Sequence, residues 1–192
     1  MSLIMKFLSI LLLAFSLTVH AERVELAKDF SADKKLAQEQ DKAILLMFSA
    51  TDCPYCAVME EDFLDPMLIN PEDTGAIIRK VEIDMPEEIV NFNGSKTSVK
   101  DLTDSYRIRV TPTLLFLDTD GREKAGRIVG VMTRDYLGYF IDKNIELVKR
   151  RMAANQSRRI IKHKSEPIDT KDQGVIAAKE EQDPEDNNLL RD

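Results

Sequence analysis

Along the chain the apolar positions fall into runs of different length and period, and each kind predicts a different element. Residues 7–19 form a mainly apolar run, preceded by Lys6, with no acidic residue up to Ala21. The run is shorter than the roughly 20 residues that a membrane-spanning helix needs. Ala21, with Val19 two positions before it, fits the small-residue rule for cleavage, so residues 1–21 read as a cleaved export signal; a retained anchor is the rival reading. The charged stretch 31–41, carrying Leu36 and Ala37, predicts a helix. The apolar run 43–50 that follows predicts a buried strand.

After that strand, Val58, Met59, Phe63 and Leu64 fall along one helical face. Residues 76–84 predict a second strand, beyond a loop marked by Pro66, Pro71 and Gly75. Strand, helix, strand implies parallel pairing through a right-handed crossover. Residues 86–94, with Asn91, Asn93 and Gly94, read as irregular, and 98–106 as a short helix capped by Ser98. Segments 114–117 and 123–131 flank Asp118-Thr-Asp-Gly121, whose Asp-Gly pair marks the turn of an antiparallel hairpin. Thr133 is placed to cap a last helix, along which Leu137, Ile141, Ile145, Val148 and Met152 keep one apolar face. Lys149, Arg150 and Arg151 suit the C-terminal end of its dipole.

The 192 residues are enough for one ordinary domain with tails. The divisions are a signal peptide at 1–21, a domain at 22–154 and a charged tail at 155–192. From Ser165 to Asp192 nine acidic residues stand against three basic ones, without apolar periodicity. That composition reads as a solvated, disordered tail, or alternatively as a docking segment for a basic partner. The net charge of −7, more negative still once Lys6 is removed, disfavours nucleic acid as a partner.

Only two cysteines occur, three positions apart, so no disulfide can staple distant segments. Export would place them in a compartment that permits disulfides. Cys53-Pro-Tyr-Cys56 sits where a strand turns into a helix. Pro54 suits the first helical position and makes Cys53 the cap, with its sulfur near the free amides of Tyr55 and Cys56. Those donors and the helix dipole favour thiolate, so Cys53 reads as the exposed nucleophile and Cys56 as the inward resolving thiol. Asp52 opposes this by charge repulsion. A permanent surface disulfide is one rival, although its loop is too small to constrain the unfolded chain. A zinc site is another, but it wants four ligands and the mature chain offers two cysteines and the distant His163. Thr111-Pro112-Thr113 precedes a strand that proline cannot join centrally, and on sequence alone its peptide bond is expected to be trans.

The order strand, Cys-x-x-Cys, helix, strand, helix, Thr-Pro-Thr, hairpin and final helix, over about residues 30–152, resembles the thioredoxin superfamily. The implied fold is α/β, a central mixed sheet flanked by helices. Within the superfamily the chain is most similar to SoxW-type periplasmic thioredoxins, through Leu46-Met-Phe48, Cys53-Pro-Tyr-Cys56, Asp84, Val90-Asn-Phe-Asn-Gly94, Thr111-Pro-Thr113 and Asp118–Gly121. By that resemblance Pro112 would be cis and lie beside the Cys53 sulfur, while the Thr111 backbone would pair with an extended substrate segment. Tyr55 would shield the disulfide or contact partners, or be incidental.

The resemblance implies an exported, monomeric thiol-disulfide oxidoreductase with no metal or nucleotide cofactor. It would reduce disulfides of extracytoplasmic proteins and receive electrons from a membrane donor of the DsbD or CcdA type. An oxidase or isomerase is the alternative within the same chemistry, and a non-catalytic binding module is the alternative outside it. Two departures from ordinary thioredoxins stand out: Asp52 replaces a tryptophan, and Met47 replaces the buried carboxylate that helps deprotonate the resolving cysteine. The Cys56 proton would then leave by water, or through Glu82 or Lys80 if the second strand brings either near.

Overall fold

The computed structural model describes residues 22–165, with side chains through residue 161. The signal assigned to 1–21 and the tail beyond 165 lie outside the described residues. In chain order the elements are α1 (Phe30–Glu39), β1 (Ala43–Ser49), α2 (Pro54–Met59), a π-helical turn (Glu60–Leu64), α3 (Asp65–Leu68), β2 (Ala76–Glu82), β3 (Glu88–Val90), β4 (Lys96–Ser98), α4 (Val99–Ser105), β5 (Thr113–Leu117), β6 (Ile128–Val129) and α5 (Arg134–Ser165).

Strand β1 is buried at every position because it has a neighbour on each side and helices over both faces. It pairs in parallel with β2, Ala43 beside Ala76, and antiparallel with β5, Ile44 beside Leu117. The short β6 pairs antiparallel with β5 and completes a mixed sheet in the order β2-β1-β5-β6. Alternation along the strands then divides the core in two. Leu45, Met47, Ile78, Leu114 and Phe116 pack with Cys56, Met59 and Leu64 and with Leu137, Ile141, Ile145 and Val148 of α5. Ile44, Leu46, Phe48, Leu115 and Leu117 face the other way, against Phe30 and Ala37 of α1 and Val99 and Leu102 of α4. The result is the mixed sheet between two helical layers that the sequence order implies.

The outer edge of β2 is not left open. The segment before α1 runs alongside it, with the Ala27 amide donating to Lys80 O at 2.8 Å and the Lys80 amide to Glu25 O at 2.9 Å. This covers donors and acceptors that would otherwise invite pairing with another chain. Helix α1 begins at Asp29, whose Oδ1 accepts the Ser31 and Ala32 amides at 2.8 and 3.0 Å.

The structure corrects the sequence reading in several places. Residues 86–94 are not wholly irregular: β3 lies within them and pairs antiparallel with β4. Ile89 and Phe92 are buried there, and Phe92 stacks on Phe30 with ring centroids 4.7 Å apart. The hairpin after β5 does form, and Asp118 organises its turn, Oδ1 accepting the Asp120 and Arg122 amides at 2.9 Å each. Its second arm pairs only at Glu123 and over β6, rather than along 123–131. At the head of α5, Thr133 lies in the left-handed region at φ 55°, and its carbonyl accepts the Tyr136 amide at 2.9 Å. Helix α5 continues past Asn155 to Ser165, where the sequence expectation is the start of a solvated, disordered tail; residues 153–161 are exposed throughout.

Candidate functional site

Strand β1 ends beneath the Cys-x-x-Cys segment. Two residues beyond it, the Thr51 amide donates to the Asp84 carboxylate at 3.0 and 3.2 Å. This tethers the loop before the cysteines to the end of β2. Asp84 is exposed, yet the amide and then the hydroxyl of Thr51 hold its carboxyl below the usual carboxylate range.

Pro54 opens α2 and Cys53 is its cap, with extended φ and ψ of −117° and 96°. Its Sγ accepts the Cys56 amide at 3.2 Å and its carbonyl accepts the Cys56 and Ala57 amides at 3.0 and 3.2 Å. The Cys53 sulfur is therefore seated on a helix start, among donors that stabilise negative charge on it. Cys53 is partly exposed and Cys56 is 2 % exposed, and the two are joined as a disulfide. Attack from outside thus reaches Cys53 first, while Cys56 belongs to the buried cluster that also holds Met47 and Met59.

Across from the cysteines, the Thr111–Pro112 peptide bond is cis. The Thr111 hydroxyl stands 3.6 Å from Cys53 Sγ as a donor, so this segment and the disulfide share one surface. Pro112 is buried and its carbonyl accepts the Gly130 amide at 2.8 Å. The neighbouring Val110 is 54 % exposed and Tyr55 is 67 % exposed, which leaves apolar surface next to Thr111 and within the Cys-x-x-Cys segment.

Met47 is fully buried, and its register partner across the sheet is Lys80. Lys80 Nζ meets Glu60 Oε2 at 2.8 Å and Glu82 Oε1 at 3.5 Å. Glu82 and Lys80 therefore belong to one ion cluster, and the sequence reading missed its third member, Glu60. The available signal was its spacing, four residues after Cys56 on the same helical path. Among the described residues no group of three or more His, Cys, Asp or Glu side chains could hold a metal ion, and no helix is long and apolar enough to cross a membrane.

A mixed sheet between helices, with a Cys-x-x-Cys disulfide at a helix start facing a cis proline, defines a thioredoxin-fold protein with a redox dithiol. The chain belongs to the thioredoxin-like domain family, whose model matches residues 30–144. No curated protein sequence matches it. Among solved structures it is similar to thioredoxin h of poplar at 18 % identity and TM-score 0.43, covering 60 % of this chain and 93 % of that one. Oxidised mitochondrial thioredoxin 3 of Saccharomyces cerevisiae aligns at 18 % identity and TM-score 0.42, over 64 % and 93 % of the two chains. A thioredoxin-fold protein of Helicobacter pylori aligns at 20 % and 0.41, over 59 % and 86 %.

Proposed function

We propose that this chain is an exported thiol-disulfide oxidoreductase of the SoxW-like kind that reduces disulfides in extracytoplasmic proteins. The observation that carries the reading is the seat of Cys53: a helix cap that receives the Cys56 amide, partly exposed, with Thr111 at 3.6 Å and a buried partner cysteine behind it.

In the reduced state the Cys53 thiolate attacks a substrate disulfide. A bond forms between Cys53 and one substrate sulfur, the substrate S–S bond breaks, and the other substrate sulfur leaves as a thiolate. Cys56 then attacks Cys53 Sγ, which releases the first substrate sulfur and closes the disulfide seen here. The exposed Val110 and half-buried Thr111 would pair with an extended segment of the substrate, held by strand-like hydrogen bonds. Two electrons must be returned per cycle, and a membrane conduit of the DsbD or CcdA type supplies them in this reading. The apolar run at 7–19, ending in the Val19 and Ala21 pattern, supports export.

A Cys56→Ala variant tests the reading. Expressed as the full chain, it should accumulate mixed disulfides through Cys53 with exported proteins, seen as reducible higher-mass species; a Cys53→Ala variant should form none and turn over no disulfide. Equal adduct formation by both variants would contradict the assignment of Cys53 as nucleophile.

A further inference from the structure

Helix α5 runs on past residue 144, where the match to the family domain ends, to Ser165, and its last turns carry a charge pattern that thiol exchange does not use. Between Glu146 and Glu166 the sequence holds seven Lys or Arg residues, three at 149–151 and four at 158–164, and no acidic one, although the whole chain has a net charge of −7. Arg150 pairs with Glu146 at 3.2 Å, and Arg151 donates to the Lys124 carbonyl. Arg158 and Arg159 are exposed and have no ion-pair partner among the described residues.

At about 100° per residue, Arg158 and Arg159 leave one side of the helix, and Ile160 and Ile161 leave the other. Those two isoleucines are 62 and 67 % exposed. The helix dipole favours cations only within the last turn, so it accounts for basic residues at 162–165 and not for Arg158 and Arg159. A helix face that only meets water is ordinarily laced with acid–base pairs three or four residues apart. Residues 155–165 hold no acid to form one, and Arg158 stands four residues from Lys162, the spacing at which like charges destabilise a helix. A basic side opposite bare isoleucines is instead the pattern of a helix that lies on an anionic surface.

We propose that residues 155–165 dock on an anionic phospholipid bilayer. Ile160 and Ile161 enter the acyl boundary, and the long arginine side chains reach back to the headgroup phosphates. Each basic residue held near such a surface strengthens binding about 5-fold. The acidity of the rest of the chain does not cancel this, because salt at 0.1 M screens charges beyond about 10 Å and leaves the local cluster to decide. The isoleucines favour a bilayer over a soluble polyanion, which offers charge without an apolar layer. Docking is independent of the dithiol chemistry; joined to the reductase reading, it keeps the enzyme on the membrane that holds its electron donor.

Sedimentation with vesicles tests the proposal. Residues 22–192, which hold every described element, are mixed with vesicles of phosphatidylcholine alone or of phosphatidylcholine with phosphatidylglycerol. The protein should bind the phosphatidylglycerol vesicles and not the others, and should be released as salt rises. Arg158→Gln with Arg159→Gln should weaken binding by ~10-fold or more. Ile160→Ser with Ile161→Ser should weaken it as well, and both variants should melt at the parent's temperature. Equal partition onto the two kinds of vesicle, or binding that the arginine substitutions leave unchanged, would overturn the proposal. Binding that appears only once residues 166–192 are removed would overturn it too, since the acidic run of the same chain would then be the occupant. A loss in the arginine variant with none in the isoleucine variant would assign the surface to a soluble polyanion instead.

Discussion

Asp84 and Tyr106 show how single side chains hold the frame around the cysteines. Asp84 tethers Thr51 through a hydrogen-bonded carboxylate whose pKa is depressed, first by the Thr51 amide. A depressed carboxyl contributes stability above its unfolded pKa of about 4, and that contribution is lost as pH falls through the lower folded value. Asp84→Ala should therefore melt below the parent at neutral pH, and the gap should close in acid; thermal melts over that range check it. Tyr106 behaves with the opposite sign. Burial first, then the charges of Glu123 and Asp118, push its phenol well above its ordinary range, while its hydroxyl donates to Gly121 O at 2.7 Å. Its stabilisation is whole below the unfolded pKa of about 10 and declines as pH rises beyond it. Tyr106→Phe should cost about 1 kcal/mol at neutral pH, the worth of one hydrogen bond, and lose less than the parent in alkali, as urea unfolding would show.

At the scale of elements, α1 is clamped to β2 by Asp33, which is 6 % exposed and meets Arg79 Nε and Nη2 at 3.0 and 2.9 Å. Burial raises the Asp33 carboxyl and the Arg79 charge opposes it. Arg79→Met would leave that carboxyl buried and unpaired, with a cost towards the lower end of about 3–5 kcal/mol because the guanidinium keeps some access to water. The double variant Asp33→Leu with Arg79→Met should recover much of the loss in denaturant unfolding. These elements also show what the sequence could and could not disclose. The run at 43–50 announced β1 because burial on both faces leaves no polar alternation to confuse it. Asp118 and Gly121 announced the hairpin through turn chemistry, and Gly121 is indeed at φ 76°, where an added Cβ would also meet the Phe92 ring at 2.5 Å. Strands β3 and β4 were illegible because three residues carry no period, and Lys96, Thr97 and Ser98 look like loop. The π-helical turn at Glu60 was hidden for a related reason, since one extra residue per turn leaves the local composition unchanged. Cys53 and Cys56 were legible from spacing, whereas the meeting of Glu60 with Lys80 depends on a contact 20 residues apart that only the register of β2 creates.

Over the whole molecule, an apolar start, an acidic chain and one dithiol fit the exported reductase proposed above, which draws its electrons from elsewhere. The reduction potential of the Cys53–Cys56 couple decides the direction of electron flow. The chain has no tryptophan to report the change by fluorescence, so the protein would be equilibrated in thiol buffers and read by alkylation mass shift. A value near about −270 mV, as for thioredoxin, is the result predicted for a reductase; a value near about −120 mV, that of a strong disulfide donor, would contradict it.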